Sequence, residues 1–217
     1  MAASSTQLYL ISPPSVEGPE AAAAALEDCL QGGSVAAYQL RLKDGNGKRA
    51  DRQAIIDVAL AVKPVLAAHD VAFIINDDPE LAKDVGADGV HIGQSDGSYA
   101  DARKRVGDQA TVGVTCHDSY HLALEAAEAG ADYVAFGAFF ETATKQASTR
   151  ATLELLSDWT TMTTVPCVAI GGITPSNCDG IVEAGADFIA VSSAVWKAPG
   201  GSADAIKRFN EAFSRIG

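Results

Sequence analysis

Three polar side chains alternate along one apolar stretch of the sequence: Gln39, Arg41 and Lys43. Alternate residues of a β-strand point to the same side, so a strand here places all three on one face. Two cations on the inner face of a strand are costly unless an anion lies beside them. A solvated strand end is the alternative interpretation, and we favour a clamp that binds an anion.

Acidic residues follow the next two apolar stretches. Asn76, Asp77 and Asp78 come after one of them, and Asp96 comes after the other. Carboxylates from neighbouring loops can share Mg²⁺, which takes one or two carboxylates together with phosphate oxygens. Helix capping is the other interpretation, because Asp78 stands directly before Pro79 and Asp96 precedes a predicted helix. We expect Asp78 to cap its helix and point away from the ligand, and Asp77 and Asp96 to bind the metal.

A second group of residues later in the chain could bind phosphate: Thr142, Thr144, Lys145, Gly171, Gly172, Ser192 and Ser193. Two hydroxyls and a lysine in one loop suit a phosphate group. Backbone N–H groups after the last two strands of an α/β barrel often bind phosphate as well. The sequence therefore predicts two sites, one for a diphosphate with its metal and one for a monophosphate.

His117 follows the apolar run at 111–115. A histidine at a strand end can act as a general acid or base. It can equally be a structural histidine that forms hydrogen bonds near the rim of the fold. Both interpretations stay open at this point.

The elements that position these residues alternate regularly. Short apolar runs rich in β-branched and aromatic residues predict eight strands, at 7–12, 35–42, 71–76, 89–93, 111–115, 133–139, 166–172 and 188–193. Alanine-rich stretches with helical spacing predict eight helices, at 19–30, 52–69, 79–85, 99–106, 120–129, 152–159, 175–184 and 203–216.

The sequence Gly-Ala-Asp recurs where a predicted helix ends and the next strand begins, at 86–88, 130–132 and 185–187. Each glycine stands where a helix terminus favours a left-handed residue. Repeated βα units indicate a parallel sheet. We predict an α/β protein over residues 1–217, a single-domain (β/α)₈ TIM barrel, with an open doubly wound sheet as the alternative. In such a barrel the chemistry lies on the loops that follow the strands.

Composition excludes several classes of function. The 217 residues carry a formal net charge of −12, which argues against a nucleic-acid partner. No apolar run approaches the length of a membrane helix, and the first residues lack the basic start of a signal peptide. The four cysteines show no CxxC spacing, so we expect reduced thiols in a cytoplasmic protein. The expected partners are small phosphorylated molecules, and a homodimer is compatible with the sequence.

Taken together, these residues resemble the thiamine-phosphate synthase family over nearly the whole chain. The motifs that carry the resemblance are YQLRLKD (38–44), FIIND (73–77), GADGVHIGQSD (86–96), GVTCH (113–117), FGAFFETATK (136–145), AIGGIT (169–174) and AGADFIAVSSA (184–194). The family joins 4-amino-2-methyl-5-hydroxymethylpyrimidine diphosphate to 4-methyl-5-(2-phosphoethyl)thiazole, and releases thiamine monophosphate and diphosphate.

The resemblance implies a role for each candidate residue. The pyrimidine diphosphate would contact Gln39, Arg41, Lys43, Asn76, Thr115 and Lys145. Asp77 and Asp96 would bind Mg²⁺. The thiazole phosphate would contact Thr142, Thr144, Gly172, Ser192 and Ser193. Arg41, Lys43 and Lys145 would act in catalysis, by stabilising the charge of the departing diphosphate.

The chain departs from the usual family pattern at a few positions. Asp78 stands where the family usually has arginine, and Ala138 and Glu141 stand where proline is usual. Thr115 replaces a usual serine and keeps the hydroxyl group.

Two other functions compete with the synthase. One is the related thiazole tautomerase, an isomerase without the Mg²⁺ carboxylates, and the other is a non-catalytic barrel that binds phosphorylated ligands. The presence of Asp77 and Asp96 favours the synthase.

Overall fold

Eight parallel strands close into a ring whose order follows the order along the chain. The computed structural model describes residues 6–141 and 149–216. The ring closes where β1 pairs with β8, with Leu8 opposite Ile189. The strands are β1 Gln7–Ile11, β2 Ala37–Leu40, β3 Ala72–Asn76, β4 Gly89–Ile92, β5 Thr111–His117, β6 Tyr133–Gly137, β7 Cys167–Ile170 and β8 Phe188–Val191. The predicted (β/α)₈ TIM barrel is thereby confirmed, and the open doubly wound sheet is excluded.

Helices cover the outside of the ring. They are α1 Pro19–Leu30, α2 Arg52–Ala68, α3 Pro79–Val85, α4 Tyr99–Val106, α5 Tyr120–Ala129, α6 Leu153–Met162, α7 Asp179–Glu183, α8 Ser193–Trp196 and α9 Ser202–Ile216. Across the part of the chain that the structure describes, no helix has the length and apolar character needed to cross a membrane.

Short polar side chains begin several of these helices. Asp51 accepts hydrogen bonds from the backbone at the start of α2, and Ser98, Ser119 and Thr152 do the same for α4, α5 and α6. These contacts satisfy N–H groups that the first helical turn leaves unpaired. The sequence therefore sets the starting points of these helices locally.

The structure corrects some predicted boundaries at the end of the chain. The predicted helix at 175–184 begins only at Asp179, because the Asn177 side chain accepts a hydrogen bond from the Thr174 backbone N–H at 2.7 Å and holds a turn there. The predicted strand at 188–193 ends at Val191, and the short helix α8 follows it directly. Helix α8 is a feature that the sequence analysis missed.

The core has two layers. One lies inside the ring and the other between the ring and the helices, where Trp159 and Phe209 are fully buried. Tyr133 is one of two tyrosines in the inner layer, and Gly113 on the adjacent strand leaves room for its ring. A Cβ atom on Gly113 would lie within about 2 Å of the Tyr133 ring carbons, so even alanine would displace that ring.

The three repeated Gly-Ala-Asp segments share a structural role. Each glycine has a positive φ. Each aspartate accepts a hydrogen bond from a backbone N–H of the strand that precedes it in the chain. The three bonds run from Phe73 to Asp88 at 2.7 Å, from Val112 to Asp132 at 2.7 Å and from Cys167 to Asp187 at 2.8 Å. The repeat thus ties the start of one strand to the start of the next, at the face opposite the candidate site.

Replacing these aspartates should destabilise the fold. We expect Asp88→Ala and Asp187→Ala each to lower the free energy of unfolding by about 1 to 2 kcal/mol, because a strand N–H loses its charged acceptor. Urea unfolding would measure the effect. Asp108→Ala is the control, since Asp108 is exposed and contacts no other described residue through a hydrogen bond. Equal losses in all three variants would contradict this role.

Candidate active site

The predicted clamp and the predicted metal residues meet at the carboxyl ends of β2 and β3. The Gln39 amide donates a hydrogen bond to the Asn76 side-chain oxygen at 2.6 Å, and Gln39 itself is buried. Arg41 follows β2, where its backbone N–H donates to the Ser12 hydroxyl at 2.9 Å. The expected inward direction of Gln39 is therefore confirmed, and it fixes the Asn76 amide beside Asp77.

Asp77 has a left-handed backbone conformation, with φ of +66°. Its N–H donates to the His91 carbonyl on the adjacent strand at 2.7 Å, which holds this turn in place. Residues other than glycine rarely adopt such a conformation, and asparagine and aspartate tolerate it best. Backbone strain of this kind is common at functional sites.

The Asp77 carboxyl lies close to a second acidic group. Burial raises its pKa from 3.8 to about 6, the negative charge of Asp96 and their hydrogen bond add to the increase, and the positive charge of Arg41 opposes it. Two carboxyls held together in a half-buried place repel each other when both ionise. A divalent cation between them would relieve that repulsion.

Asp96 is held by the loop that follows β4. One of its carboxylate oxygens accepts a hydrogen bond from the Gly93 N–H at 3.0 Å. A Cβ atom on Gly93 would lie 2.6 Å from that oxygen, so a larger residue at this position would displace the Asp96 carboxylate. Within the described ranges, no three His, Cys, Asp or Glu side chains are grouped as a metal site. Two carboxylates are nevertheless enough for Mg²⁺ when phosphate oxygens and water complete its coordination.

Asp78 caps helix α3, as predicted from the sequence. Its carboxylate accepts a hydrogen bond from the Leu81 N–H at 2.9 Å. Its other oxygen accepts hydrogen bonds from Arg49 at 2.8 Å and from Arg52 at 3.0 Å. The sequence analysis missed these two arginines. Arg49, from the loop between β2 and α2, and Arg52, the first residue of α2, thus connect this region to the start of α3.

Lys43 lies in that same loop. Its ammonium group donates to the Gly47 carbonyl at 2.8 Å, and its backbone pairs with Arg49 in a short antiparallel bridge. The side chain is therefore held within the loop between β2 and α2.

The predicted monophosphate site lies partly beyond the described residues, because Thr142, Thr144 and Lys145 fall outside them. The part that is described shows why Gly171 and Gly172 are glycines. Both have positive φ, and a Cβ atom on Gly172 would lie 2.3 Å from the Glu141 carbonyl oxygen. The Phe140 N–H donates to the Gly171 carbonyl at 2.9 Å. The loops after β6 and β7 therefore pack directly on each other.

Ser192 and Ser193 lie at the junction of β8 and α8. The Ser192 hydroxyl donates to the Ser12 carbonyl at 3.1 Å, so this side chain is already engaged within the fold. Ser193 is the first residue of α8, and the backbone here begins a helix. The N–H groups of these two residues, at the start of α8, are the groups suited to contact a phosphate.

His91 was missed as a site residue. Its ring is buried, with Nδ1 2.9 Å from the Tyr133 hydroxyl and Nε2 2.7 Å from the Thr115 hydroxyl. Burial lowers its pKa to about 4, and the positive charge of Arg41 contributes in the same direction. The ring is therefore neutral at physiological pH. A histidine at an inward position of β4 was the sequence signal that could have revealed it.

His117 ends β5 beside a shift in strand register, with φ of +55°. Among the described residues, none forms a hydrogen bond with its ring. The structure therefore does not support a structural role for His117 through hydrogen bonds of its ring. A role of His117 in proton transfer stays a prediction.

Comparison with known proteins gives a consistent result. The family model described as thiamine monophosphate synthase matches residues 8–195. A protein named thiamine-phosphate synthase from Rhodospirillum centenum is 53% identical over 204 residues, which are 94% of this chain and 96% of that protein. One of the same name from Erythrobacter litoralis is 52% identical over 210 residues, covering 95% and 94% of the two chains.

A solved structure shows the same architecture. The thiamine phosphate pyrophosphorylase from Pyrococcus furiosus superposes with a TM-score of 0.84 at 27% identity, and the match covers 98% of both chains.

The acidic pair leads to a prediction about stability and pH. In metal-free protein, Asp77→Asn should raise the melting temperature by a few degrees at pH 8, because it removes one of two repelling carboxylates and suits the left-handed backbone. The raised pKa of about 6 means that the wild-type fold is most stable with Asp77 protonated. It loses that stability as the pH rises from about 4 through 6.

The difference in melting temperature between Asp77→Asn and the wild type should therefore grow between pH 4 and pH 7 and level off outside that range. Thermal unfolding in EDTA at several pH values would measure it, with Asp108→Asn as the control. The same difference at pH 4 and pH 8 would show that the two carboxyls do not interact.

The ion pairs of Asp78 lead to a second prediction. Asp78→Asn keeps a capping side chain and loses only partly exposed ion pairs, so it should cost about 1 kcal/mol or less. Asp78→Arg, which restores the residue usual in the family, loses the cap and adds a third guanidinium beside Arg49 and Arg52. We expect a loss of about 2 kcal/mol. Urea unfolding of both variants would test this, and equal stability would contradict it.

Proposed function

The chain belongs to the thiamine monophosphate synthase family, and we propose that it joins 4-amino-2-methyl-5-hydroxymethylpyrimidine diphosphate to 4-methyl-5-(2-phosphoethyl)thiazole. The products are thiamine monophosphate and diphosphate. The match over nearly the whole of both chains carries this proposal. It favours the synthase over the tautomerase and the non-catalytic barrel.

The diphosphate side of the substrate is assigned to the ends of β2 to β5. Arg41 supplies positive charge beside Asp77, and the Gln39–Asn76 amide pair offers a fixed hydrogen-bonding edge. Thr115 adds a hydroxyl at the end of β5. Lys43 would contribute its charge from the loop after β2, and Lys145, outside the described residues, from the loop after β6.

Asp77 and Asp96 are the proposed metal ligands. The interaction between the two carboxyls supports this assignment, because the charge of Asp96 and a hydrogen bond with it add to the effect of burial on the pKa of Asp77. When bound there, Mg²⁺ would neutralise part of the charge on the departing diphosphate.

The reaction needs charge stabilisation more than proton transfer. The bond between the pyrimidinyl methylene carbon and the diphosphate oxygen breaks, and the diphosphate leaves with the electron pair. The thiazole nitrogen then donates its lone pair to that carbon. Arg41, Lys43 and Lys145 stabilise the anion that departs. No protein nucleophile is required, so the absence of such a residue from the proposed roles is consistent with the chemistry.

The thiazole phosphate is assigned to the loops after β6, β7 and β8. Gly172 and the N–H groups of Ser192 and Ser193 would face it, together with Thr142 and Thr144 from outside the described residues. The close packing of Gly172 on the loop at 138–141 supports this, because it brings the loops after β6 and β7 together. We further propose a cytoplasmic location, which agrees with four buried cysteines that are all free thiols.

The activity assay mixes both substrates with purified protein and Mg²⁺, and detects thiamine monophosphate. We expect product that depends on the metal, with turnover restored when excess Mg²⁺ follows EDTA. Asp96→Asn should lower kcat by about a hundredfold or more, because a charged ligand to the metal is lost. Asp108→Asn is the matched control.

Isothermal titration with the pyrimidine diphosphate separates binding from turnover. Metal-dependent binding without product would show a non-catalytic barrel, and full activity in EDTA would contradict the metal assignment.

A further inference from the structure

A row of four polar side chains runs through the otherwise apolar interior of the ring. Tyr9 and Tyr133 lie with their hydroxyl oxygens 3.0 Å apart, Tyr133 contacts His91 Nδ1 at 2.9 Å, and His91 Nε2 contacts Thr115 at 2.7 Å. The four residues come from β1, β6, β4 and β5. We call them the interior row. It begins deep in the ring at Tyr9 and ends at Thr115, beside the candidate site.

The protons of the interior row can be counted. A neutral imidazole has one donor nitrogen and one acceptor nitrogen, and each hydroxyl has a single proton. Burial raises the pKa of both phenols, so both keep their protons. The row is therefore a line of donors and acceptors that can run in only two directions.

The two directions differ at the buried end. Tyr9 is 4% exposed, and no described residue other than Tyr133 lies within hydrogen-bonding distance of its hydroxyl. If Tyr9 donates to Tyr133, its proton is satisfied. If Tyr133 donates to Tyr9, the Tyr9 proton is left buried without an acceptor and carries the full cost of its desolvation. A doubly protonated His91 also leaves one buried phenol proton unsatisfied, because Nδ1–H then donates to Tyr133 and only one of the two phenols can donate to the other.

The favoured direction fixes every other proton. Tyr9 donates to Tyr133, Tyr133 donates to His91 Nδ1, and His91 Nε2–H donates to the Thr115 hydroxyl oxygen. The Thr115 proton is then left over, and no described residue other than His91 lies within hydrogen-bonding distance of that hydroxyl. Thr115 is half-buried at the end of β5, and its carbonyl is held by the Gln94 amide at 2.6 Å.

We propose that the interior row makes the Thr115 hydroxyl a hydrogen-bond donor to the departing diphosphate, with His91 as the positioning residue that sets its direction. The inference rests on the proposed function for the identity of the acceptor. It adds a role for three residues, Tyr9, Tyr133 and His91, that lie behind the substrate. If the His91 proton were on Nδ1 instead, the Thr115 hydroxyl would donate to Nε2 and present only lone pairs to an anion.

The first test is the tautomer of His91 in ¹⁵N-histidine-labelled protein without ligand, measured by long-range ¹H–¹⁵N NMR at neutral pH. We expect Nε2 to carry the proton and Nδ1 to be unprotonated. A proton on Nδ1, alone or in a doubly protonated ring, would overturn the proposal. This measurement does not depend on activity, so it stands even if the coupling assay fails.

Two variants with the same change test the direction. Tyr9→Phe and Tyr133→Phe each remove one buried hydroxyl and keep the ring. In Tyr9→Phe, Tyr133 still donates to His91, so the tautomer of His91 should persist. If the hydrogen bonds of the interior row ran in the opposite direction, Tyr133 would lose its acceptor in Tyr9→Phe, and the tautomer of His91 would change. Such a change in Tyr9→Phe would overturn the proposal.

Tyr133→Phe should act on turnover through Thr115. We expect kcat to fall about tenfold, the size of one hydrogen bond, with the KM for the thiazole phosphate unchanged. Thr115→Val should lower kcat at least as much, and the double variant should be no worse than Thr115→Val alone, because both remove the same donor. Additive losses in the double variant, at unchanged melting temperature, would show that Tyr133 does not act through Thr115.

Discussion

Closure of eight parallel strands into one ring brings the carboxyl end of every strand to the same rim. The pairing of β1 with β8 completes this arrangement and leaves no free sheet edge. Each strand must then return through a helix to the opposite face, where Asp88, Asp132 and Asp187 tie neighbouring strands together. The two faces thereby have separate tasks. One stabilises the ring, and the other is free to carry side chains that stability alone would not select.

Asp77 at the rim is a side chain that stability alone would not select. Asp77 combines a left-handed backbone, a half-buried carboxyl and a neighbouring negative charge from Asp96. Each of these is unfavourable in the protein alone, and the proposed cation would offset the repulsion between the two carboxyls. Arg41 offsets part of the repulsion in the absence of that cation. The overall charge of −12 makes this local balance more important, because the rest of the surface repels an anionic ligand.

Local signals made much of the fold predictable. The eight strands followed from apolar runs, and the cap at Asp78 followed from an aspartate before a proline. The proximity of Asp77 and Asp96 was expected, because loops after adjacent strands meet at one rim. The direct contact between Gln39 and Asn76 was not predicted. Helix α8 was not predictable in this way, since four residues are too few to show a helical period.

Contacts between residues distant in the sequence were also beyond prediction. Arg49 reaches Asp78 across 29 positions, and nothing near either residue indicates the pairing. The interior row joins four strands, two of which are 124 residues apart at Tyr9 and Tyr133. Its geometry depends on Gly113, whose missing side chain looks like any other strand glycine until the Tyr133 ring is placed against it.

The interior row and the charged rim also constrain each other. His91 lies in the layer directly below, and the positive charge of Arg41 helps to lower its pKa to about 4. A protonated His91 would strengthen the field on the anion, but it would also reverse the donor order of the interior row and leave a buried phenol unsatisfied. A neutral His91 ring is thus compatible with both the interior row and the rim. It orients the Thr115 hydroxyl proton without adding charge, and the charged groups at the site remain Arg41, Asp77 and Asp96.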